Sequence, residues 1–194
     1  MKVKLFLALA LFLICTINFF AQTVNIDRLP ATIDEFVSLR DKIAAEPEGG
    51  ATMFLLALKI YSDNKELGKQ CLVVAADRGS LREGDVYKGF ALFNQDMDLI
   101  EKQLAKDKNI PNSYIKGSDP KTSYKISLPY VYEFSSNAYC GDPKTGTYKL
   151  FVKCSGADSP RPIGLKRNDK GLWKATSWSS VLVGIKKPPV SDDL

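Results

Sequence analysis

Tyr124-Lys125-Ile126-Ser127-Leu128-Pro129-Tyr130-Val131-Tyr132-Glu133-Phe134 is apolar at every even position, while Lys125, Ser127 and Glu133 stand among the odd ones. A period of two belongs to a strand with one face buried and the other wet. The even face is therefore expected against a helical layer, with Phe54, Leu56 and Ile60 among its neighbours. Downstream, Gly141 to Gly146 reads as a turn, after which Tyr148, Leu150 and Val152 alternate with Lys149 and Lys153. This makes a hairpin. Ile163 and Leu165, the turn Asn168-Asp169-Lys170-Gly171 and then Leu172 to Thr176 make another, and Val181 to Ile185 reads as a last strand.

Upstream the period changes. Thr32 followed by Glu35 has the spacing of a capping box, and Ile33, Phe36, Val37, Arg40, Ile43 and Ala44 follow at helical intervals. Pro47, Gly49 and Gly50 are expected to break that helix. Met53, Phe54, Leu55, Leu56, Leu58 and Ile60 then cover most of a helical wheel between Ala51 and Tyr61, which marks a buried helix. Lys65 to Ala76 carries Leu67, Cys71, Leu72 and Ala75 on one side. Asn94 opens a fourth helix with Asp96 and Asp98 in its first turn. Helices from Thr32 to Lys106 followed by strands predict an α+β fold, in which about four N-terminal helices pack on a C-terminal antiparallel β-sheet.

The 194 residues are 45% hydrophobic and 25% charged, the composition of an ordinary globular protein. Met1 to Lys4 carry two lysines, Leu5 to Ile14 are apolar without interruption, and Thr16 to Ala21 become more polar, the layout of a secretory signal. Residues 1–21 are thus expected to be a cleavable signal peptide, 22–187 a single globular domain and 188–194 a flexible tail. An uncleaved anchor and lipid attachment at Cys15 are the competing readings; the interruptions at Thr16 and Asn18, and Ile14 before the cysteine, argue against them. The mature protein is expected to be exported, periplasmic or secreted, without a transmembrane domain.

Loss of Lys2 and Lys4 would leave 25 basic against 22 acidic residues, spread singly along the chain. No nucleic-acid partner is expected from that pattern. No histidine occurs anywhere in the chain, which excludes Ser-His-Asp and Cys-His catalysis and most catalytic zinc sites.

The stretches LPATIDEFVSLRDKIAAEPEGGATMFLLALKIY (29–61), LREGDVYKGF (81–90), NSYIKG (112–117), FVKCSGADSPRPIGLK (151–166) and GLWKATSWSSVLVGIK (171–186) resemble a family of bacterial exported proteins known only as a domain of unknown function. The resemblance covers roughly Leu29 to Lys187. It implies a bacterial envelope location and brings no activity, cofactor or site residue.

Candidate sites must therefore come from the residues. Ser62/Lys65, Ser113/Lys116 and Ser118/Lys121 match Ser-x-x-Lys, and Lys144-Thr145-Gly146 matches a companion element of penicillin-binding enzymes, but it lies in a proline-containing turn. Asn94, Asp96, Asp98 and Glu101 could be drawn as metal ligands, but an acidic first helical turn, whose carboxylates favour the helix dipole, is the ordinary explanation. Ser155-Gly156-Ala157-Asp158-Ser159-Pro160-Arg161-Pro162 reads as an exposed loop between strands, with Asp158 and Arg161 available for binding. Local turn closure by Asp158, stiffening by Pro160 and Pro162 and local pairing by Arg161 is the favoured explanation of the stretch. Trp173 and Trp178 could form a platform or belong to the core. No catalytic residue, metal or cofactor is implied. The expected function is a non-enzymatic binding or interaction domain for an envelope protein or cell-envelope component. A hydrolase using carboxylates or a Ser/Lys pair is the competing expectation.

Cys71, Cys140 and Cys154 are expected to be free thiols. A symmetric hairpin around Gly141–Gly146 would put Cys140 and Cys154 about 20 Å apart at ~3.3 Å per residue, beyond the ~7 Å that a disulfide allows. Whether Cys71 meets Cys154 is left open.

Overall fold

The computed structural model describes residues 22–190 and begins with a strand that the helical reading did not anticipate, β1 (Gln22–Ile26). Helix α1 (Ile33–Ile43) follows, and Thr32 caps it by accepting from the Glu35 amide at 3.2 Å. The reciprocal half of the capping box is displaced by one residue, since the Glu35 carboxylate accepts from the Ala31 amide at 2.7 Å.

Helix α2 (Pro47–Asp63) starts at the residues expected to break the chain. Proline lacks an N–H and is tolerated in a first helical turn, where that donor has no intrahelical acceptor. Gly50 is inside the helix because a Cβ there would lie 2.6 Å from the Trp173 Cβ. As expected, α2 is buried on all sides from Ala51 to Tyr61. Helix α3 (Lys65–Ala75) is capped by Asn64 and crosses α2 closely at Gly68, where a Cβ would fall 2.2 Å from the Tyr61 Cα.

The helical half is then interrupted by a hairpin, β2 (Leu81–Tyr87) and β3 (Phe90–Leu92). Its turn takes positive φ at Lys88 (49°) and Gly89 (83°), the backbone of a two-residue turn matched to strand twist. Helix α4 (Asn94–Lys106) completes the helical layer, with Ile100 and Leu104 buried.

The main sheet adds β4 (Tyr130–Ser135), β5 (Thr147–Val152), β6 (Arg161–Arg167) and β7 (Trp173–Ser177) to β1. Its order is β1-β4-β5-β6-β7 and every pairing is antiparallel. The fold is thus α+β, with helices over one face of the sheet. Tyr130, Tyr132 and Phe134 join Phe54, Leu56 and Ile60 in one apolar cluster. Phe54 also stacks on Trp178 with ring centroids 4.6 Å apart.

Two strand expectations need correction. The alternation from Tyr124 does not become strand until Tyr130, and Leu128 is 46% exposed while Ile126 is half-buried. Pro129 has no N–H to give a ladder, so the strand starts after it. Val181 to Ile185 forms no strand: Ser179–Leu182 is a short 3-10 turn. The outer edge of β7 is already occupied by the chain leaving α3, through the Asp77 amide to the Ala175 carbonyl at 2.8 Å.

Among the described residues Cys71, Cys140 and Cys154 are buried and free. The β4–β5 register pairs Phe134 with Val152, one residue away from the symmetric hairpin. No described helix is long and apolar enough to cross a membrane. The signal reading for residues 1–21, and the tail beyond residue 190, lie outside the described residues.

Candidate functional site

Strand β4 changes ladder partner at Glu133. Before it, the Lys116 amide donates to the Val131 carbonyl at 2.8 Å and Ile115 bridges Tyr132; from it onward, the Lys153 amide donates to the Glu133 carbonyl at 2.9 Å and β5 takes over. Tyr132 and Phe134 turn inward, so Glu133 between them turns to the other face. There its carboxylate meets Lys116 Nζ at 2.9 Å and Lys153 Nζ at 3.0 Å, with its side chain only 16% exposed. Hydrogen bonds from Lys116 and then Lys153 hold its carboxyl below the ordinary glutamate range. A carboxylate held ionised in this way is poorly suited to deliver or accept a proton near neutral pH.

Glu133 and Lys153 are shared by two adjoining hollows. The larger, about 350 Å³, runs over Phe134 and Ser135 to Cys154 and the loop Ala157–Pro160. The smaller, about 190 Å³, lies against residues 113–118 and Ser155. The hydroxyls around it are already engaged: Ser118 and Ser155 share a hydrogen bond of 2.8 Å, and Ser155 Oγ donates to the Ser113 carbonyl at 3.1 Å. Ser113 Oγ donates to the Ile110 carbonyl at 2.7 Å and lies 3.3 Å from Cys154 Sγ.

The four residues singled out from sequence do not form one site. Asp158 is exposed on the rim of the larger hollow, in an ion pair with Lys186 that lowers its pKa. Arg161 is 9% exposed and is the first residue of β6, so the expected open loop ends before it; Gly156 is buried as well. Arg161 donates to the Tyr114 phenol at 3.1 Å and to the carbonyls of Val183 and Gly184 at 2.6 and 2.7 Å. These partners lie 47, 22 and 23 residues away in the sequence, so the arginine is committed by long-range bonds and not by the local pairing considered from sequence. Trp173 and Trp178 are both core residues, which leaves neither as an open platform.

The Ser-x-x-Lys matches separate in the same way. Lys65 pairs with Glu101 and Lys116 with Glu133, while Ser62 Oγ donates to the Leu58 carbonyl at 3.1 Å. No group of three or more Cys, Asp or Glu side chains among the described residues is placed to hold a metal ion. Asn94 accepts from Arg82 at 3.0 Å instead. Sequence reading met Lys116 in a Ser-x-x-Lys match and Ser155 at the start of a loop, but not their convergence with Glu133 and Lys153, because only pairing of distant segments joins them. The unlike sign of Glu133 among lysines on the outward positions was the available signal.

Structurally this is an α+β protein in which helices cover one face of a five-stranded antiparallel sheet and a largely apolar groove edged by charges opens where β4 exchanges partners. The family model described as Domain of unknown function (DUF6935) matches residues 28–189, and the chain belongs to that family. No curated protein and no solved structure matches it.

Proposed function

We propose that this is an exported, envelope-associated binding domain whose groove takes an extended segment of a partner protein. The observation that carries this reading is the partner exchange at Glu133. It leaves a concave strip with an apolar floor of Phe134, Ala157 and Pro160, edged by charges of both signs at Glu133, Lys153 and Asp158. Such a surface suits recognition by shape and charge together, on loops held by a rigid sheet. The engaged hydroxyls and the ionised Glu133 support binding over hydrolysis. The amino-terminal layout of residues 1–21 supports export.

The test is site-specific photo-crosslinking in the cell of origin, with the probe at Ser159 on the groove rim or at Asp98 on α4. A discrete adduct from Ser159 alone, weakened at least tenfold by Lys153→Glu, is expected. Equal crosslinking from both positions, or an adduct indifferent to Lys153→Glu, would refute the reading.

A further inference from the structure

At the other edge of the sheet, Lys174 is 8% exposed, and its ammonium donates to the carbonyl of Val74. Among the described residues no carboxylate lies within ion-pair distance of it. Its cross-strand partner on β6 is another lysine, Lys166. Lys174 lines a hollow of about 270 Å³ between the end of α3 and the β2–β3 hairpin. Arg40 lines the same hollow, its guanidinium already bound to Asp41 at 2.7 Å. Asp77, the one carboxylate in the lining, accepts from the Gly79 amide at 3.0 Å.

The rest of the lining is apolar or committed. Val73, Leu81 and Phe90 supply apolar lining. Arg78 donates to the Leu81 carbonyl and lies 4.2 Å from the Phe90 ring centroid; Lys88 lies 5.3 Å from that of Tyr87. A buried ammonium beside a guanidinium, with Asp41 and Asp77 near enough to favour its charge but neither in ion-pair contact with it, is an unfavourable arrangement until an anion completes it. Desolvation, and then the Arg40 charge, push the Lys174 ammonium down to about 8, and the Asp41 and Asp77 charges offset this only in part.

We propose that this cleft is a binding site for a small organic monoanion, a carboxylate on a compact apolar body, with its charge on Lys174 and its body against Val73, Leu81 and Phe90. One buried ammonium with a single protein acceptor matches one negative charge. The aliphatic and aromatic lining favours an organic carboxylate over inorganic phosphate. This site is separate from the sheet-side groove, so its fate and that of the binding-domain reading are independent.

The probes are benzoate, hexanoate, neutral benzamide and inorganic phosphate, titrated into the full chain by calorimetry. At least one carboxylate is expected to bind ten times or more tightly than benzamide or phosphate, and Lys174→Met is expected to lower that affinity at least tenfold. The same carboxylate should protect Lys174, and no lysine outside the cleft, from reductive methylation read by peptide mass spectrometry. That measurement uses the unaltered protein and stands even if the variant fails to fold. Failure of both carboxylates to bind, equal binding of benzamide, tighter binding of phosphate, or unchanged Lys174 labelling would each overturn the proposal.

Discussion

Arg161 and Tyr114 together fasten the segment that follows β7: the guanidinium donates to the phenol oxygen at 3.1 Å while that phenol donates to the Val181 carbonyl at 2.7 Å. The same guanidinium holds the carbonyls of Val183 and Gly184, and Tyr124 holds that of Lys186 at 2.6 Å. The segment after β7 is thus strapped across the sheet by side chains, which explains why it is ordered without being a strand. The Asp-Ser-Pro-Arg-Pro stretch that drew attention as a binding loop contributes its arginine to this strap.

Arg161→Ala should therefore act on folding. It removes three donated bonds and leaves the Val183 and Gly184 carbonyls without that partner. Truncating a buried, hydrogen-bonded charge costs about 3 kcal/mol. Urea denaturation should show the loss as a lower midpoint, and limited proteolysis should cut first near Val183. Unchanged stability would return Arg161 to the list of binding residues.

Gly68 makes a second prediction against ordinary propensity. In an exposed helix interior Gly→Ala stabilises by about 1 kcal/mol. Here the added methyl would sit 2.2 Å from the Tyr61 Cα and 2.5 Å from its amide nitrogen, both backbone-fixed. Helices α2 and α3 would have to separate, so Gly68→Ala should destabilise by at least about 2 kcal/mol. Thermal melts of the two proteins decide the sign.

These residues also show what was legible. The helical spacing of α1 to α4 and the alternation of β4 and β5 report local periodicity, and each was readable in a single stretch. Gly49 and Gly50 misled because a glycine needed for close approach, to the Ile43 carbonyl and to Trp173 respectively, has the same letter as one that ends a helix. The β2–β3 hairpin was hidden because Arg82, Glu83 and Asp85 show little apolar alternation and Lys88-Gly89 is a weak turn signal. Strand β1 has only Ile26 fully buried and depends on β4 for its ladder. The groove was illegible for a different reason: Lys116, Glu133 and Lys153 become neighbours only through the partner exchange.

Lys174 supplies a pH prediction. Its pKa is lowered from 10.5 to about 8 on folding, with Arg40 opposing its charge and Asp41 and Asp77 favouring it. Below about 8 both folded and unfolded chains carry the proton and the burial penalty is complete. Between that value and 10.5 the unfolded chain holds more protons, so this residue's contribution improves as pH rises. Lys174→Met removes the penalty and also the bond to Val74. Without added carboxylate, the variant should be about 2 kcal/mol more stable than the native protein at pH 7, with the gap closing by pH ~10.5. A gap that widens with pH would contradict the account.

The cysteines give a chemical prediction. Burial pushes the Cys71 thiol up to about 12, and Cys140 and Cys154 are buried as well. Only thiolates alkylate rapidly. In the folded, unreduced protein Cys71 should resist iodoacetamide at pH 8, whereas in denaturant Cys71, Cys140 and Cys154 should all be labelled. Recovery of a Cys71–Cys154 linked peptide would show a disulfide that the structure lacks.

Glu133 tests the groove itself. Glu133→Gln keeps the shape but leaves Lys116 and Lys153 facing each other without the carboxylate between them. The lysines are largely exposed, so the interaction is screened and its loss should cost only about 1 kcal/mol at pH 7. Because the folded-state pKa is lowered below 4.5, the native stabilisation is complete above that value and fades as pH falls through the folded pKa. The stability difference between native and variant should accordingly shrink toward zero in strong acid. The same substitution removes the one negative charge between the groove's two lysines, so a partner segment that places an acidic side chain there should crosslink more strongly, and one that places a basic side chain there more weakly. A variant with native stability at pH 7 and unaltered crosslinking from Ser159 would mean that the bridged carboxylate contributes neither to the fold nor to recognition, and the groove would lose the feature that distinguishes it.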